Sequence, residues 1–173
     1  NKTTVEVVDF VDYTIGVTNK TKLERSSLIV FDQAATGFTY VEKSAFITLA
    51  GQKKIAIQPR IVNNCKSGFY LRFDINLPLA GSTLTTIKTD EVLSIQYRMA
   101  VSPNAMQGDG VNTAWAQSLG ANPATSNKAN AKVKITSGVF ANEGFIIGTV
   151  FLDCNKSGTQ EKEEIGIPGI RLF

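Results

Sequence analysis

Six oxygen-bearing residues, Asp153, Asn155, Ser157, Thr159, Glu161 and Glu164, stand at positions 1, 3, 5, 7, 9 and 12 of one polar segment, with Gly158 at position 6. Calcium takes six to eight oxygens from a flexible loop. A twelve-residue loop supplies them at those positions, the seventh through its backbone carbonyl, with glycine at the sixth for the sharp turn. The spacing therefore points to one calcium ion held by these six residues. Asp153, Glu161 and Glu164 carry full charges, and crowding them is unfavourable without a cation. Ser157 is a neutral ligand, and fewer charges mean weaker binding, so the expected affinity is of the extracellular kind, about 10⁻⁴–10⁻³ M. The alternative is a solvated acidic turn in which Asn155-Lys156-Ser157-Gly158 turns unaided. Spacing and glycine together favour the ion. A nearly continuous apolar run before the loop and an apolar alternation after it predict flanking strands rather than helices.

Other chemistry is thin. The chain has no histidine, which removes the commonest general base, the commonest zinc ligand and the usual triads. Ser26, Ser27 and Ser102 thus lack an activating imidazole. Gly108-Asp109-Gly110 reads as a turn, because no helical pattern follows to cradle a phosphate. Asp9 and Asp12 flank a strand start and read as solvated. The 18 basic residues, against 15 acidic ones, come singly or in pairs such as Lys53-Lys54. No nucleic-acid stripe results. The expected protein is not an enzyme and binds no nucleic acid.

Cys65 and Cys154 are too few for a zinc site. They form either one disulfide or two unpaired thiols, and periodicity does not decide whether their turns meet. Cys154 lies at position 2 of the polar loop, where a side chain points away from the ion. A link to the Asn63-Asn64-Cys65-Lys66 turn would span 88 intervening residues and add about 4 kcal/mol by the chain-entropy argument.

The elements that must position these residues are strands. Val11, Tyr13, Ile15 and Val17 alternate with polar partners or glycine. So do Phe69 to Leu77, Leu93 to Val101, and Ala129, Ala131, Val133 and Ile135. Each stretch offers one face to a core and one to water. Ser27–Phe31, Phe38–Val41, Ala45–Leu49 and Lys54–Gln58 are shorter strands between turn-rich segments. Such spacing predicts an all-β, two-sheet antiparallel sandwich with Tyr13, Phe73, Ile95 and Tyr97 inside. Asn104–Asn127 is weakly patterned and reads as a loop-rich crossover or one broken strand, with Trp115 as a core or edge plug. The nearly continuous apolar run Phe145–Leu152 suits a strand covered on both faces. A boundary near residues 137–144 then divides a sandwich over 1–137 from a second β module over 138–173.

Composition agrees with a folded module: of 173 residues, 43% are hydrophobic and 19% charged. No apolar run reaches the ~18 residues that span a membrane as a helix. The first residues are polar and lack an initiator Met, and the last lie inside an apolar alternation. The chain reads as a piece of a longer protein, and the absence of targeting signals from these residues says nothing about where that protein resides.

Two segments carry a family likeness. Asp9-Phe10-Val11-Asp12-Tyr13-Thr14-Ile15-Gly16-Val17-Thr18-Asn19, Val30-Phe31-Asp32, Gly37-Phe38-Thr39-Tyr40-Val41, Gly110-Val111-Asn112-Thr113-Ala114 and Ser126-Asn127-Lys128-Ala129-Asn130-Ala131 occur in that order. Together they resemble the conserved-repeat domain of bacterial surface proteins, a domain of unknown function, over roughly residues 5–137. Ala35 or Thr36 stands where that family usually has proline, and the turn can form without it. Gly148-Thr149-Val150-Phe151-Leu152-Asp153-Cys154-Asn155-Lys156-Ser157-Gly158-Thr159-Gln160, continuing to Leu172, resembles the opening of the B-type domain of serine-aspartate repeat adhesins. Ser157 and Glu161 replace aspartates usual there.

These resemblances imply an exported protein, extracellular, at the cell surface or associated with an outer membrane. They imply tandem modules, each an immunoglobulin-like antiparallel β-sandwich, used as stalks or adhesive surfaces, whose partners are neighbouring modules of the same chain and a surface protein or glycan ligand. No membrane insertion is expected of these residues. The apolar end near Ile167–Phe173 predicts an unfinished sheet edge that pairs with another copy or docks back on residues 1–137. Lysine–asparagine cross-links occur in similar adhesin domains, but Lys132 and Lys134 fall on the polar face of their strand, so none is expected from them. The alternative function is a glycan- or polymer-binding accessory module of a secreted enzyme. It would need an exposed row of aromatic rings, and Tyr40, Tyr70 and Trp115 show no such order in the sequence.

Overall fold

The structure, a computed structural model, describes residues 3–49, 51–64, 68–120, 122–136, 149–162, 164–167 and 170. Twelve strands lie among them: β1 (Thr4–Glu6), β2 (Phe10–Thr18), β3 (Ser27–Gln33), β4 (Phe38–Tyr40), β5 (Phe46–Leu49), β6 (Ile55–Ala56), β7 (Arg60–Asn64), β8 (Gly68–Asn76), β9 (Val92–Val101), β10 (Val111–Ser118), β11 (Ala129–Lys132) and β12 (Lys134–Thr136). One sheet runs β11-β10-β3-β8-β7 and the other β2-β9-β5-β6, with β4 also paired to β9. Within these two sheets every pairing is antiparallel. β1 and β12 form a separate parallel pair. The expected all-β sandwich is present.

Alternation explains the packing. Along β9, Leu93, Ile95, Tyr97, Met99 and Val101 are all buried, while Ser94, Gln96, Arg98 and Ala100 are not. β2 pairs with β9 so that Tyr13 faces Tyr97 and Ile15 faces Ile95. The two tyrosine rings stack at 5.7 Å. Val30, Leu71, Phe73 and Ile75 close the core from the other sheet. Each fully buried Leu, Ile or Phe contributes about 1.5–3 kcal/mol. The expected interior residues Tyr13, Phe73, Ile95 and Tyr97 are all buried.

One acid lies inside the sandwich. Asp32 follows the inward parity of Leu28 and Val30 and is wholly buried. It accepts a hydrogen bond from the amide of buried Asn112, whose Nδ2 also reaches Tyr97 Oη at 3.4 Å. Burial pushes the Asp32 carboxyl up to about 6, and the nearby Tyr97 hydroxyl and Asn112 amide offset only part of that effect.

Some expectations need correction. Residues 104–127 hold a short 3-10 turn (Pro103–Gln107) and an unbroken eight-residue strand, β10, between β3 and β11. Small residues on its inward face, Ala114 and Ala116, hid its apolar parity. Trp115 is not a core plug but lies half-buried on the outward face. Ala129 and Ala131 are exposed because β11 is the outermost strand of its sheet, whereas Val133 is buried. Arg98 binds Asp12 through a two-pronged ion pair, at 2.7 and 2.9 Å. The 137–144 boundary, residues 145–148 of the apolar run, Cys65 and the last three residues lie outside the described residues.

Candidate metal-binding loop

All six sequence-predicted ligands belong to one hydrogen-bonded loop. Asp153 starts it: Oδ1 accepts from Ser157 N at 3.1 Å and Oδ2 from Gly158 N at 2.9 Å. Asn155 Oδ1 also accepts from Ser157 N, at 2.9 Å. Lys156 (φ 58°) and Gly158 (φ 77°) both adopt the left-handed region, so the backbone curls around these carboxylate and amide oxygens. Ser157 Oγ donates to the Thr159 carbonyl at 3.0 Å. Glu164 reaches back to close the loop, accepting from Cys154 N at 3.0 Å and from Glu161 N at 3.2 Å. Asn155 Nδ2 donates to Glu161 Oε1 at 3.2 Å.

Burial gives the arrangement its electrostatic tension. Ser157, Glu164 and Asn155 are 2%, 7% and 8% exposed. Glu161 Oε2 is buried and has no hydrogen-bond partner among the described residues. Burial, then the adjoining Glu164, hold the Glu161 carboxyl above the usual range, while Asn155 and Ser157 pull the other way. An acceptor without a donor, next to a second carboxylate, fits a hard cation. Among the described residues no three acidic or sulfur side chains are placed to hold an ion by themselves. The neutral oxygens of Asn155, Ser157 and Thr159 must therefore complete any shell.

No local pattern of residues signals what the loop rests on. Gly37 N donates to Lys156 O at 2.7 Å, and Ser102 Oγ donates to Ser157 O at 2.7 Å. Asn104 Nδ2 lies 3.4 Å from Asp153 Oδ2, and the Thr39 and Thr159 hydroxyls are 3.3 Å apart. These partners come from the turn before β4, from β4 itself and from the segment after β9. A Cβ on Gly158 would stand 2.7 Å from Ser102 Oγ, so glycine serves the docking as well as the turn. Sequence separations of 49 to 120 residues kept this contact out of any local pattern. Cys154 is disulfide-bonded, which removes the unpaired-thiol alternative for it. The residues on either side of the loop pair as an antiparallel ladder, with Leu152 N donating to Ile165 O at 3.0 Å and Ile167 N to Val150 O at 2.7 Å.

A row of rings does form elsewhere, contrary to the sequence reading. Trp115, Phe31 and Tyr70 lie on neighbouring strands of the outward sheet face. Trp115 stacks on Phe31 at 5.2 Å, and Tyr70 meets Phe31 edge-on at 6.0 Å. Lys128 sits over Trp115 at 5.1 Å and Arg72 over Phe31 at 6.0 Å. Ring faces are thus turned on one another and on cations, which leaves little face for a sugar to stack on. Tyr40 is buried and bonds Gln58.

No family model matches the sequence, and a search of curated proteins finds no relative. Several solved structures are similar in shape. The collagen-binding domain of a Staphylococcus aureus adhesin shares 14% identity over 72% of this chain and 87% of that one, with a TM-score of 0.45. The group B streptococcus pilus 2b backbone protein shares 16% identity over 78% of this chain and 55% of its own, with a TM-score of 0.48. AvmM, which catalyses macrocyclization in alchivemycin A biosynthesis, shares 8% over 83% and 88%, also with a TM-score of 0.48. Likeness at this level assigns the chain no ligand, partner or activity.

Proposed function

We propose that this chain is a structural or adhesive module of an exported, repeat-containing bacterial surface protein, and that calcium stiffens its junction with the next module. The observation that carries the reading is the seating of the Asp153–Glu164 loop on Gly37, Thr39, Ser102 and Asn104. Asp153, Asn155, Ser157, Thr159, Glu161 and Glu164 would hold the ion, which supplies positive charge among three carboxylates. Binding at about 10⁻⁴–10⁻³ M leaves the loop filled at extracellular calcium and empty in a cytosol. The residues themselves do the positioning: Asp153 and Asn155 orient the Ser157 and Gly158 amides, and Glu164 ties the loop's end to its start.

Calorimetric titration of the whole chain with calcium tests this. The expected result is one saturable site in the millimolar range or tighter, lost in Asp153→Ala. No saturable heat up to several millimolar would make the loop a solvated turn. The second reading, a glycan-binding accessory module, is favoured only by the Trp115–Phe31–Tyr70 row. Glycan binding that disappears in Trp115→Ala and Tyr70→Ala would support it instead.

A further inference from the structure

We propose that a groove between the free edge of β2 and the underside of β11 receives one extended strand from another polypeptide. The hydrogen-bond phase of β2 prepares that edge. Asn19 N donates to Glu91 O at 3.1 Å and Val101 N to Asp9 O at 3.0 Å, so the odd-numbered residues of β2 bond to their opposites on β9. Thr14, Gly16 and Thr18 therefore aim their backbone N–H and C=O groups away from β9. No strand pairs with β2 on that side among the described residues, and these groups have no partner there. Such a row of ladder groups is a template for another strand.

The sandwich has room for that strand. The sheet of β2 runs four strands across, β2-β9-β5-β6, and the facing sheet runs five. Val17 and Thr18 line one cleft with Ala116 and Ser118, so β2 lies opposite β10 and β11 reaches past it. Ala129 and Ala131 stand opposite Ala114 and Asn112 in the ladder and share their inward parity, yet both are exposed. Ile15 and Val17 also face inward and are only half-buried. A strand laid along β2 would cover all four.

The cleft at the Thr18 end defines what that strand carries. It measures about 280 Å³, and Val17, Leu28, Ile87 and Ala116 offer an apolar wall with Arg25 beside them. Arg25 makes no ion pair among the described residues; its Nη1 donates to Asn122 O at 2.6 Å. Charge complementarity thus favours a carboxylate at this end, next to an apolar side chain. Every pairing within the two main sheets is antiparallel, so the added strand starts beside Thr18 with its acidic residue first. A second copy cannot supply it through its own β2, because two-fold pairing would bring each overhanging β11 into the place of the other's β10. The occupant is a loose extended segment with apolar residues at alternate positions. The groove lies at the Val92 end of β9 and the Asp153–Glu164 loop rests near its Val101 end, so the proposal does not depend on the metal reading.

Short synthetic peptides test this on the full 173-residue chain. Each is acetylated, begins with glutamate, and then alternates threonine with valine, isoleucine, leucine or phenylalanine. Calorimetry should find a saturable binder among them. Amide exchange at Thr14, Gly16 and Thr18, fast in the chain alone, should slow when it binds. N-methylation of every second peptide amide should abolish binding in one phase and spare it in the other, because only one edge of the peptide meets β2. Gly16→Pro removes an N–H that the fold does not use, on an edge strand, and should weaken binding about tenfold or more with little change in melting temperature. If that variant misfolds, the N-methyl series on the unaltered chain still decides. Arg25→Gln and replacement of the peptide's glutamate by glutamine should each weaken binding several-fold, and together no more than either alone. Three results overturn the proposal: no saturable binding by any member, binding indifferent to the phase of methylation, or slow exchange at the three amides in the chain alone. In the last case, protection that grows with protein concentration would identify a second copy as the occupant.

Discussion

Asp32 is the residue at which burial and charge conflict most directly. Its carboxyl is pushed up to about 6 in the fold, against an ordinary value of 3.8. The unfolded chain therefore ionises it more readily, and its contribution to stability falls as pH rises from about 4 to about 6. Above that window the loss is complete, and below it the penalty vanishes. Asp32→Asn keeps the shape and removes the charge. It should stabilise the protein at pH 7 by up to about 3 kcal/mol, from a shift of roughly two units at 1.36 kcal/mol each. The gain should disappear near pH 4. Urea melts of both proteins across that range check this; an equal difference at pH 4 and pH 7 would rule out ionisation as its cause. Asn112 donates its side-chain amide to this acid, so Asn112→Ala should destabilise at either pH.

At the scale of elements, the turn before β4 leaves no room for a side chain at its glycine. Gly37 has φ 79°, and a Cβ on it would stand 2.1 Å from Ala105 N. Gly37→Ala should destabilise by at least about 1–2 kcal/mol from the left-handed conformation alone, with the backbone clash in addition. Thermal melts measure it. How legible the elements were depended on their neighbours. β2 and β9 announce themselves because Tyr13 and Tyr97, or Ile15 and Ile95, are large and face a core. β10 did not, because Ala114 and Ala116 are small beneath the half-buried Trp115. β1 and β7 were missed: three residues are too few to show a period, and Arg60-Ile61-Val62 has Ile61 at 45% exposure on an edge strand. The loop's own geometry was readable, because a twelve-residue spacing is local. Its seat on Gly37, Ser102 and Asn104 was not, because no local pattern records which turns meet.

For the whole molecule, the β ladder beyond the sandwich leaves apolar surface in water. Leu152, Ile165, Ile167 and Ile170 are 57%, 75%, 41% and 50% exposed. Such exposed apolar side chains along a two-stranded ladder invite pairing with a second copy. Sedimentation velocity should show concentration-dependent association of this chain, weakened in Ile165→Lys. A monomer at every concentration would mean that the loop's docking alone satisfies the ladder. The loop is docked on the two-sheet core through Gly37 and Ser102, and on the proposed reading a calcium ion would order it there. The central claim is that the ion orders the loop against the sandwich. Hydrogen exchange at the Gly37, Ser157 and Gly158 amides, with and without several millimolar calcium, tests it most directly. Calcium should slow all three in the wild type and none in Asp153→Ala; identical exchange with and without calcium in the wild type would contradict the account.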